Sequence, residues 1–294
     1  MDYQESLAKV EALCVEQLGE HLGRQLAALA RPGFGLYDHG FEVEDCLPRE
    51  SRTTFGGPAF LDPGTPWPEH EGLPLSLYAV LDIASMPAWL GDELPADVGL
   101  LNFFCLDPND EYRAATGGRR DTMDDLQVCH VVPADAARAV EVEAPEPATV
   151  HDQIPLQAVR AVTLPMSSHW YNYDRILDTL DVGAEAARSP GHIVCERFDW
   201  EGFTMDQGLY CKEDDDGDFV SLGLCQAFGW PWLNREATER PYRHLLTLSL
   251  LTLDTPEDRW AWDDGGYVHF LIDEEALRAG DFSQVRVELS TGHH

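Results

Sequence analysis

The sequence predicts an α+β protein with antiparallel-rich sheets in two pseudo-repeat halves and a helix at the N-terminus. Three observations support this fold class. Apolar residues recur at helical spacing near the N-terminus, most later segments have the composition of strands, and two stretches of the chain resemble each other. Strands do not alternate regularly with helices, so a doubly wound parallel sheet is not favoured.

The N-terminal segment, residues 4–30, has the pattern of one amphipathic helix. Pro32 and Gly33 end this pattern. The polar side is acidic, which is unsuited to a membrane surface, so we expect the helix to pack on the body of the protein. We assign it to a segment 1–40 and assign residues 41–294 to a single α+β domain. The apolar side carries Leu7, Val10, Cys14, Leu18, Leu22 and Leu29.

Four segments after residue 41 are predicted to be strands. Apolar residues alternate along residues 75–83, which is typical of a strand with one buried face. Residues 100–106 form a continuous apolar run that suits a buried strand. Residues 127–132 and 157–164 have strand composition as well.

A helix and a hairpin are predicted in the second half of the chain. Residues 170–187 have helical composition, and Pro190 with Gly191 is expected to end the helix. The acidic turn 213–218 contains Asp-Gly and lies between short apolar segments, which predicts a β-hairpin.

The two similar stretches cover about residues 55–106 and 225–290. Each contains a glycine turn, a strand that ends in Asp, and an aromatic strand that begins with glycine. Gly57 precedes Asp82 by 25 positions (82 − 57), and Gly229 precedes Asp254 by the same 25 (254 − 229). We interpret this equal spacing as a diverged duplication, with chance similarity between short apolar strands as the alternative.

The same stretches carry a family resemblance. The first contains Thr54-Phe55-Gly56-Gly57-Pro58, and the second contains Phe228-Gly229-Trp230-Pro231. In order and spacing these elements resemble the YwqG-like family, a bacterial family of unknown function. Cys225-Gln226 stands where that family usually has His-Lys, so the resemblance implies no role for a histidine there. It implies structural roles for Gly56, Gly57, Pro58, Trp67, Gly229, Pro231, Trp262, Gly266 and Phe270.

Charge is the most unusual property of the composition. Asp and Glu total 53 against 20 Lys and Arg, which gives a formal net charge of −33. Such a surface repels phosphate backbones, so we expect no nucleic-acid partner. It would attract a basic protein and accelerate the encounter by long-range steering. Adaptation to a salty cytoplasm is the alternative explanation.

The cysteine content and the first thirty residues predict that the protein is located in the cytoplasm. An odd number of cysteines cannot be fully paired, and a chain of 294 residues does not need disulfides to fold. The N-terminus lacks the features of a signal peptide, and no apolar stretch reaches the roughly 18 residues of a membrane span. We therefore expect no membrane partner. The seven cysteines are Cys14, Cys46, Cys105, Cys129, Cys195, Cys211 and Cys225.

Cofactor and metal signatures are weak. His192 with Cys195, and Cys129 with His130, are close pairs without a second pair at a zinc-like distance. The Gly33-Phe34-Gly35 segment lacks the third glycine of a dinucleotide loop, and no Gly-Lys-Ser/Thr segment for phosphate occurs. We expect no cofactor and no metal.

Two sets of residues are candidates for function. Asp82, Asp254 and Asp264 follow apolar strands or a tryptophan, and paired carboxylates can hold a metal or act as acid and base. Aspartate at a strand end also commonly caps a turn, and we favour that role. Trp232 and Trp260 are candidate anchors for a partner.

We therefore expect a non-catalytic protein-binding module with an acidic surface. An immunity-type protein that neutralises a basic partner, such as a toxin domain, would fit this description. A metal-dependent hydrolase that uses the strand-end carboxylates is the alternative. A structural component with neither activity is a third hypothesis.

Overall fold

A computed structural model of the chain describes residues 2–38, 51–90, 94–95, 98–106, 128–165, 174–183, 188–207, 212–213, 219–220, 225–231, 242–249 and 266–291. The chain divides into two compact units. Unit 1 comprises Met1–Leu36, Val159–His269 and Ser290–His294, and unit 2 comprises Tyr37–Ala158 and Phe270–Leu289. The predicted division at residue 40 stays a prediction. In the described ranges, no helix is long and apolar enough to cross a membrane.

Helices and antiparallel strands occur in the described ranges, which confirms the α+β class. The helices are α1 (Tyr3–Leu18), α2 (Glu20–Ala27), α3 (Pro87–Leu90), α4 (Asp174–Leu177), α5 (Pro190–Arg197), α6 (Trp200–Asp206) and α7 (Glu274–Ala279). The strands are β1 (Arg31–Asp38), β2 (Thr54–Phe55), β3 (Ala59–Leu61), β4 (Glu69–His70), β5 (Leu73–Pro74), β6 (Ser76–Asp82), β7 (Leu100–Cys105), β8 (Cys129–Ala134), β9 (Val140–Val142), β10 (Ile154–Thr163), β11 (Lys212–Glu213), β12 (Phe219–Val220), β13 (Cys225–Phe228), β14 (Tyr242–Ser249), β15 (Gly266–Asp273) and β16 (Arg286–Thr291).

The N-terminal segment of unit 1 contains two helices where the sequence predicts one. Gly19 separates α1 from α2 with a φ of 81°, a conformation that glycine adopts at little cost. A Cβ atom at Gly23 in α2 would lie 2.4 Å from the carbonyl oxygen of Cys14 in α1. Glycine at both positions therefore lets the chain turn and lets the two helices pack closely.

A second difference lies at α5 of unit 1. Pro190 begins this helix and does not end the preceding one. Ser189 is the N-cap, and proline at the first helical position loses no hydrogen bond because its missing N–H would be unpaired there anyway. The predicted hairpin around residues 213–218 is confirmed, since β11 and β12 pair antiparallel.

The strands of unit 1 form an antiparallel arrangement around β13. β13 pairs with β1 on one side, with Phe34 opposite Ala227, and with β14 on the other, with Gln226 opposite Thr247. The end of β10 lies next to β1. Leu245, Leu246 and Leu248 in β14 are buried and form part of the apolar core.

The strands of unit 2 are hydrogen-bonded in the order β10, β2, β6, β7, β8. Every residue of β6 and β7 is buried. The continuous apolar run of residues 100–106 predicts this for β7, whereas the alternation along residues 75–83 predicts only one buried face for β6. A separate pair, β3 and β9, lies over this sheet, with Phe60 opposite Glu141. Leu61, Leu75, Leu77 and Phe104 belong to the core between them.

Candidate functional site

The predicted carboxylate site is represented in the described residues by Asp82 alone. Its side-chain oxygen accepts a hydrogen bond from the backbone N–H of Arg52 at 3.0 Å, and its own N–H donates to Thr53 Oγ1 at 3.1 Å. Asp82 thus binds residues 52–53 to the end of β6 through two hydrogen bonds. This is the turn-capping role that we favour for Asp82 from the sequence. Asp254 and Asp264 lie outside the described residues, as do Trp232, Trp260 and Trp262.

The first glycine turn lies in unit 2. Gly56 and Gly57 have φ values of 53° and 77°, and their N–H groups donate to the carbonyl oxygens of Tyr78 and His151. A Cβ atom at Gly56 would lie 2.5 Å from the carbonyl oxygen of Asp152, so glycine is required there. Pro58 follows this turn and precedes β3.

Trp67 fixes the segment between β3 and β6. Its Nε1 donates to the carbonyl oxygen of Leu75 at 2.7 Å, and its ring meets Phe104 edge-on at 5.0 Å. These contacts give Trp67 a packing role in unit 2.

The side chain of Asn102 in unit 2 makes the two backbone hydrogen bonds to Phe60 that a neighbouring strand would otherwise make. Its carboxamide oxygen accepts from the N–H of Phe60, and its Nδ2 donates to the carbonyl oxygen of the same residue, both at 2.8 Å. Nδ2 also donates to the carbonyl oxygen of Val132 at 3.1 Å. The side chain is fully buried, and these contacts satisfy its polar atoms.

The second glycine turn lies in unit 1 and involves Phe228 and Gly229, with φ values of 59° and 76°. A left-handed phenylalanine is uncommon and costs on the order of 1–3 kcal/mol, so it persists only where contacts around it enforce the conformation. Thr163 packs against this turn, and its Oγ1 accepts a hydrogen bond from the N–H of Trp230 at 2.9 Å. Pro231 is buried directly after it.

Trp230 is held on two sides. Its Nε1 donates to the carbonyl oxygen of Leu29 at 2.7 Å, and the Arg31 guanidinium lies 3.5 Å from the centre of its ring. The side chain is 8% exposed, so Trp230 packs within unit 1 and does not present an anchor to a partner.

A buried polar network connects this turn to β14 and β15. Gln226 Nε2 donates to the carbonyl oxygens of Phe228 and Trp230 at 2.7 and 3.0 Å. His244 Nδ1 lies 2.9 Å from the same Phe228 oxygen, and His244 Nε2 lies 2.7 Å from Thr247 Oγ1. Thr247 Oγ1 in turn lies 2.8 Å from Nδ1 of His269. None of these side chains is more than 4% exposed.

The chemistry of the partners fixes the direction of these bonds. A carbonyl oxygen only accepts, so Nδ1 of His244 carries the proton and donates to Phe228. Nε2 of the neutral ring then accepts from the Thr247 hydroxyl, and that hydroxyl accepts from Nδ1 of His269. The network is therefore a directed chain from His269 through Thr247 and His244 to the strained turn.

Both imidazoles are held neutral. Burial lowers the pKa of His244 to about 4, with the nearby Arg31 charge contributing, although the hydrogen bond to Phe228 opposes the shift. Burial lowers the pKa of His269 to about 3, and His244 contributes to that shift. Buried uncharged histidines of this kind rigidify a structure more readily than they transfer protons to a substrate.

Sequence reasoning missed these two histidines. His269 lies between Val268 and Phe270 in β15, and an imidazole inside an apolar strand indicates a buried hydrogen-bonded group. No spacing pattern connects His269 with His244 or Gln226, because the contacts arise from three separate strands.

An acidic strand edge lies in unit 2. β9 pairs with β3 on one side, and no described strand pairs with its other side. Val140 and Val150 are 48% and 59% exposed. From residue 139 to residue 159 the sequence contains no Lys or Arg. The exposed valine and acidic residues of the segment 140–152 are called here the β9 edge, and they are Val140, Glu141, Glu143, Glu146, Val150 and Asp152.

The fold and these two features define an α+β protein that combines an internal polar network with an acidic strand edge. In the ranges that the structure describes, no group of three His, Cys, Asp or Glu is placed to hold a metal ion. The chain belongs to the family described as a domain of unknown function, DUF1963, which it matches over residues 53–290. The finer resemblance to the YwqG-like family stays a prediction. No curated protein matches the chain.

Proposed function

We propose that this chain is a non-catalytic protein-binding module that takes a basic partner on the β9 edge. The observation that carries the proposal is the composition of that edge. Val140 and Glu141 of β9 are exposed, and the exposed Glu143 and Glu146 follow directly after the strand. β9 pairs with β3 on one side, and the sequence has no Lys or Arg from residue 139 to residue 159. The nearest arginine along the chain, Arg138, lies 3.6 Å from the Asp62 carboxylate and is directed to it.

An exposed strand edge offers backbone N–H and C=O groups to a second chain. An extended segment that adds to the edge gains main-chain hydrogen bonds, and its alternate side chains supply specificity. At the β9 edge those side chains would meet Glu141 and Glu143, so lysine or arginine is the complementary choice. The net charge of −33 favours the same class of partner at long range.

An immunity-type protein that neutralises a basic toxin domain in the cytoplasm is the particular form of this function that we favour. The metal-dependent hydrolase gains no support from Asp82, whose carboxylate caps residue 52.

The test compares three proteins as baits in cells of the source organism. These are the wild type, the edge variant Glu141→Gln/Glu143→Gln/Glu146→Gln, and a control variant with the same charge change on the exposed side of α1 and α2, Glu5→Gln/Glu16→Gln/Glu20→Gln. Captured proteins are identified by mass spectrometry after low-salt and high-salt washes.

We expect a basic protein that the wild type and the helix variant retain at low salt and that the edge variant loses. Equal capture by all three proteins would show that net charge, and not the β9 edge, attracts the partner. Capture of no basic protein by the wild type would contradict the proposal altogether.

We also infer that the two glycine turns descend from one duplicated unit. Gly56 and Gly57 have φ values of 53° and 77°, and Phe228 and Gly229 have 59° and 76°. Each turn leads from a short strand that pairs antiparallel with the next long strand, Thr54 with Val80 and Gln226 with Thr247. In this register Ser249, and not Asp254, corresponds to Asp82 at the end of its strand, so duplication does not favour a pair of catalytic carboxylates.

A further inference from the structure

Cys105 and Cys129 lie directly opposite each other in adjacent antiparallel strands of unit 2. They are register partners at the end of β7 and the start of β8. Residues that face each other in this way project to the same side of the sheet. Both residues are present as thiols.

The hydrogen bonds around them define the type of pair. The N–H of Leu106 donates to the carbonyl oxygen of Val128 at 3.0 Å, so Leu106 and Val128 are the hydrogen-bonded pair next to the cysteines. Pairs alternate along an antiparallel ladder, so Cys105 and Cys129 occupy a non-hydrogen-bonded position, where Cα atoms are about 4.5 Å apart. That separation lies within the range of about 4.4–6.8 Å that a disulfide spans.

The surroundings of Cys129 slow its reaction with an oxidant. Burial raises the pKa of the Cys129 thiol to about 12, so little thiolate is present at neutral pH. Cys105 is fully buried, whereas Cys129 is partly exposed, with its Sγ 3.8 Å from the carbonyl oxygen of Val285. Cys129 is therefore the thiol that a small molecule reaches first.

We propose that Cys105 and Cys129 form a redox pair that closes into a cross-strand disulfide on reaction with a low-molecular-weight disulfide. Cys129 loses its proton, and its thiolate attacks one sulfur of the oxidant. The S–S bond of the oxidant breaks, and one small thiol leaves with that proton. Cys105 then loses its proton and attacks the Cys129 sulfur of the mixed disulfide, which releases the second small thiol. Two protein thiols are oxidised, and one small disulfide is reduced to two thiols.

Closure covalently ties the end of β7 to the start of β8. The bond fixes the register between Phe104 and His130 next to it and restricts the unfolded chain, so the oxidised protein resists unfolding more than the reduced one does. This inference is independent of the proposed partner, because neither cysteine belongs to the β9 edge.

The experiment treats the reduced full-length protein with oxidised glutathione at pH 7 and at pH 9. The reaction is stopped by acid, and the remaining thiols are alkylated in denaturant before peptide mapping. We expect a peptide that links Cys105 to Cys129, formed faster at pH 9, together with a higher melting temperature that dithiothreitol reverses. Two variants accompany the wild type. Cys129→Ser removes the pair, and Cys195→Ser removes another partly exposed thiol elsewhere.

The linked peptide should persist in Cys195→Ser and disappear in Cys129→Ser, which should leave Cys105 available to alkylation. If Cys129→Ser does not fold, Cys129→Val replaces it, since a β-branched side chain suits a strand. Wild-type protein in which both cysteines stay alkylatable, or carry glutathione without closing, would overturn the proposal. Pairing of either residue with a different cysteine would overturn it equally.

Discussion

The hydroxyl of Thr247 donates a hydrogen bond to Nε2 of His244 across 2.7 Å, inside the core of unit 1. The same oxygen accepts from Nδ1 of His269, so one threonine hydroxyl pairs with one nitrogen of each of two buried imidazoles. His244 in turn holds the carbonyl oxygen of Phe228, which has a left-handed conformation. The Thr247 hydroxyl therefore supports the second glycine turn through His244, beside the direct contacts of Gln226 and Thr163 with that turn.

Replacement of Thr247 by valine tests this dependence. Thr247→Val keeps the shape of the side chain but leaves Nε2 of His244 and Nδ1 of His269 without this partner. We expect a loss of roughly 2–4 kcal/mol in the free energy of unfolding, because each unsatisfied buried group costs about 1–3 kcal/mol. Thr247→Ser retains the hydroxyl and should lose less than half as much. Urea unfolding followed by circular dichroism provides the comparison, and equal losses in both variants would contradict the role of the hydroxyl.

The neutral histidines predict a specific acid sensitivity. Their folded pKa values lie below the ordinary value of 6.5, so the unfolded chain binds protons first as the pH falls. The stability that the neutral rings contribute is present above pH 6.5 and is lost as the pH falls toward the folded pKa values of about 4 for His244 and about 3 for His269. Each histidine should lower the free energy of unfolding at pH 5 by about 2 kcal/mol relative to its value at pH 7.5.

The variant His269→Gln isolates this effect from the many carboxylates of the chain. Glutamine can donate to Thr247 but does not titrate in this range. The difference in unfolding free energy between wild type and variant should shrink by about 2 kcal/mol between pH 7.5 and pH 5. A difference that is independent of pH would show that His269 has the same pKa in the folded and the unfolded protein, which contradicts the lowered value.

Glycine 229 provides a prediction with a matched control. A Cβ atom at Gly229 would lie 2.4 Å from Oγ1 of Thr163, whereas one at Gly64 would meet nothing within 4 Å. Both residues have positive φ, 76° and 88°, so alanine carries a similar backbone cost of about 1 kcal/mol at either site. We expect Gly229→Ala to reduce stability by at least 2 kcal/mol more than Gly64→Ala does, measured by thermal unfolding. Similar effects would mean that Thr163 moves aside easily.

We expect the stability of the β3–β9 pair in unit 2 to depend on the hydrogen bonds of Asn102. Asn102→Leu removes the bonds to both backbone groups of Phe60 and the bond to Val132. We expect a loss of roughly 3 kcal/mol or more, since several buried polar groups lose their partner at once. Asn102→Asp keeps the acceptor for Phe60 and tests the donor separately. Amide hydrogen exchange of residues 59–61 and 140–142 should accelerate in the leucine variant, and unchanged exchange would contradict the anchoring role.

The sequence was a good guide to strands and a poor guide to the polar network. Residues 75–83 and 100–106 are apolar without interruption of their pattern, and the structure has β6 and β7 there. The helix predicted over residues 4–30 is divided at Gly19, because apolar spacing continues through a residue whose backbone turns. The sequence pattern predicts a helix end at Pro190, whereas Ser189 before it is a typical N-cap and Pro190 begins α5.

The equal spacing of the two stretches was a less reliable signal. Thr54 and Val80 are 26 positions apart (80 − 54), whereas Gln226 and Thr247 are 21 apart (247 − 226). Strand register is set by burial and by the connecting segment, so identical spacing in sequence does not guarantee equivalent positions in a sheet. The network around His244 and the pairing of Cys105 with Cys129 depend on this register, which composition does not encode.

The carboxamide of Asn102 has a consequence for how unit 2 opens. Phe60 offers its N–H and its C=O to the same side chain, so rotation of one χ2 angle would release both groups together. The amide proton of Phe60 should therefore exchange in a single cooperative event with that of the β9 residues opposite it, and not by gradual fraying from an end. Asn102 therefore decides whether the β3–β9 strand pair is bound to β7 at its middle residue or detached as a whole.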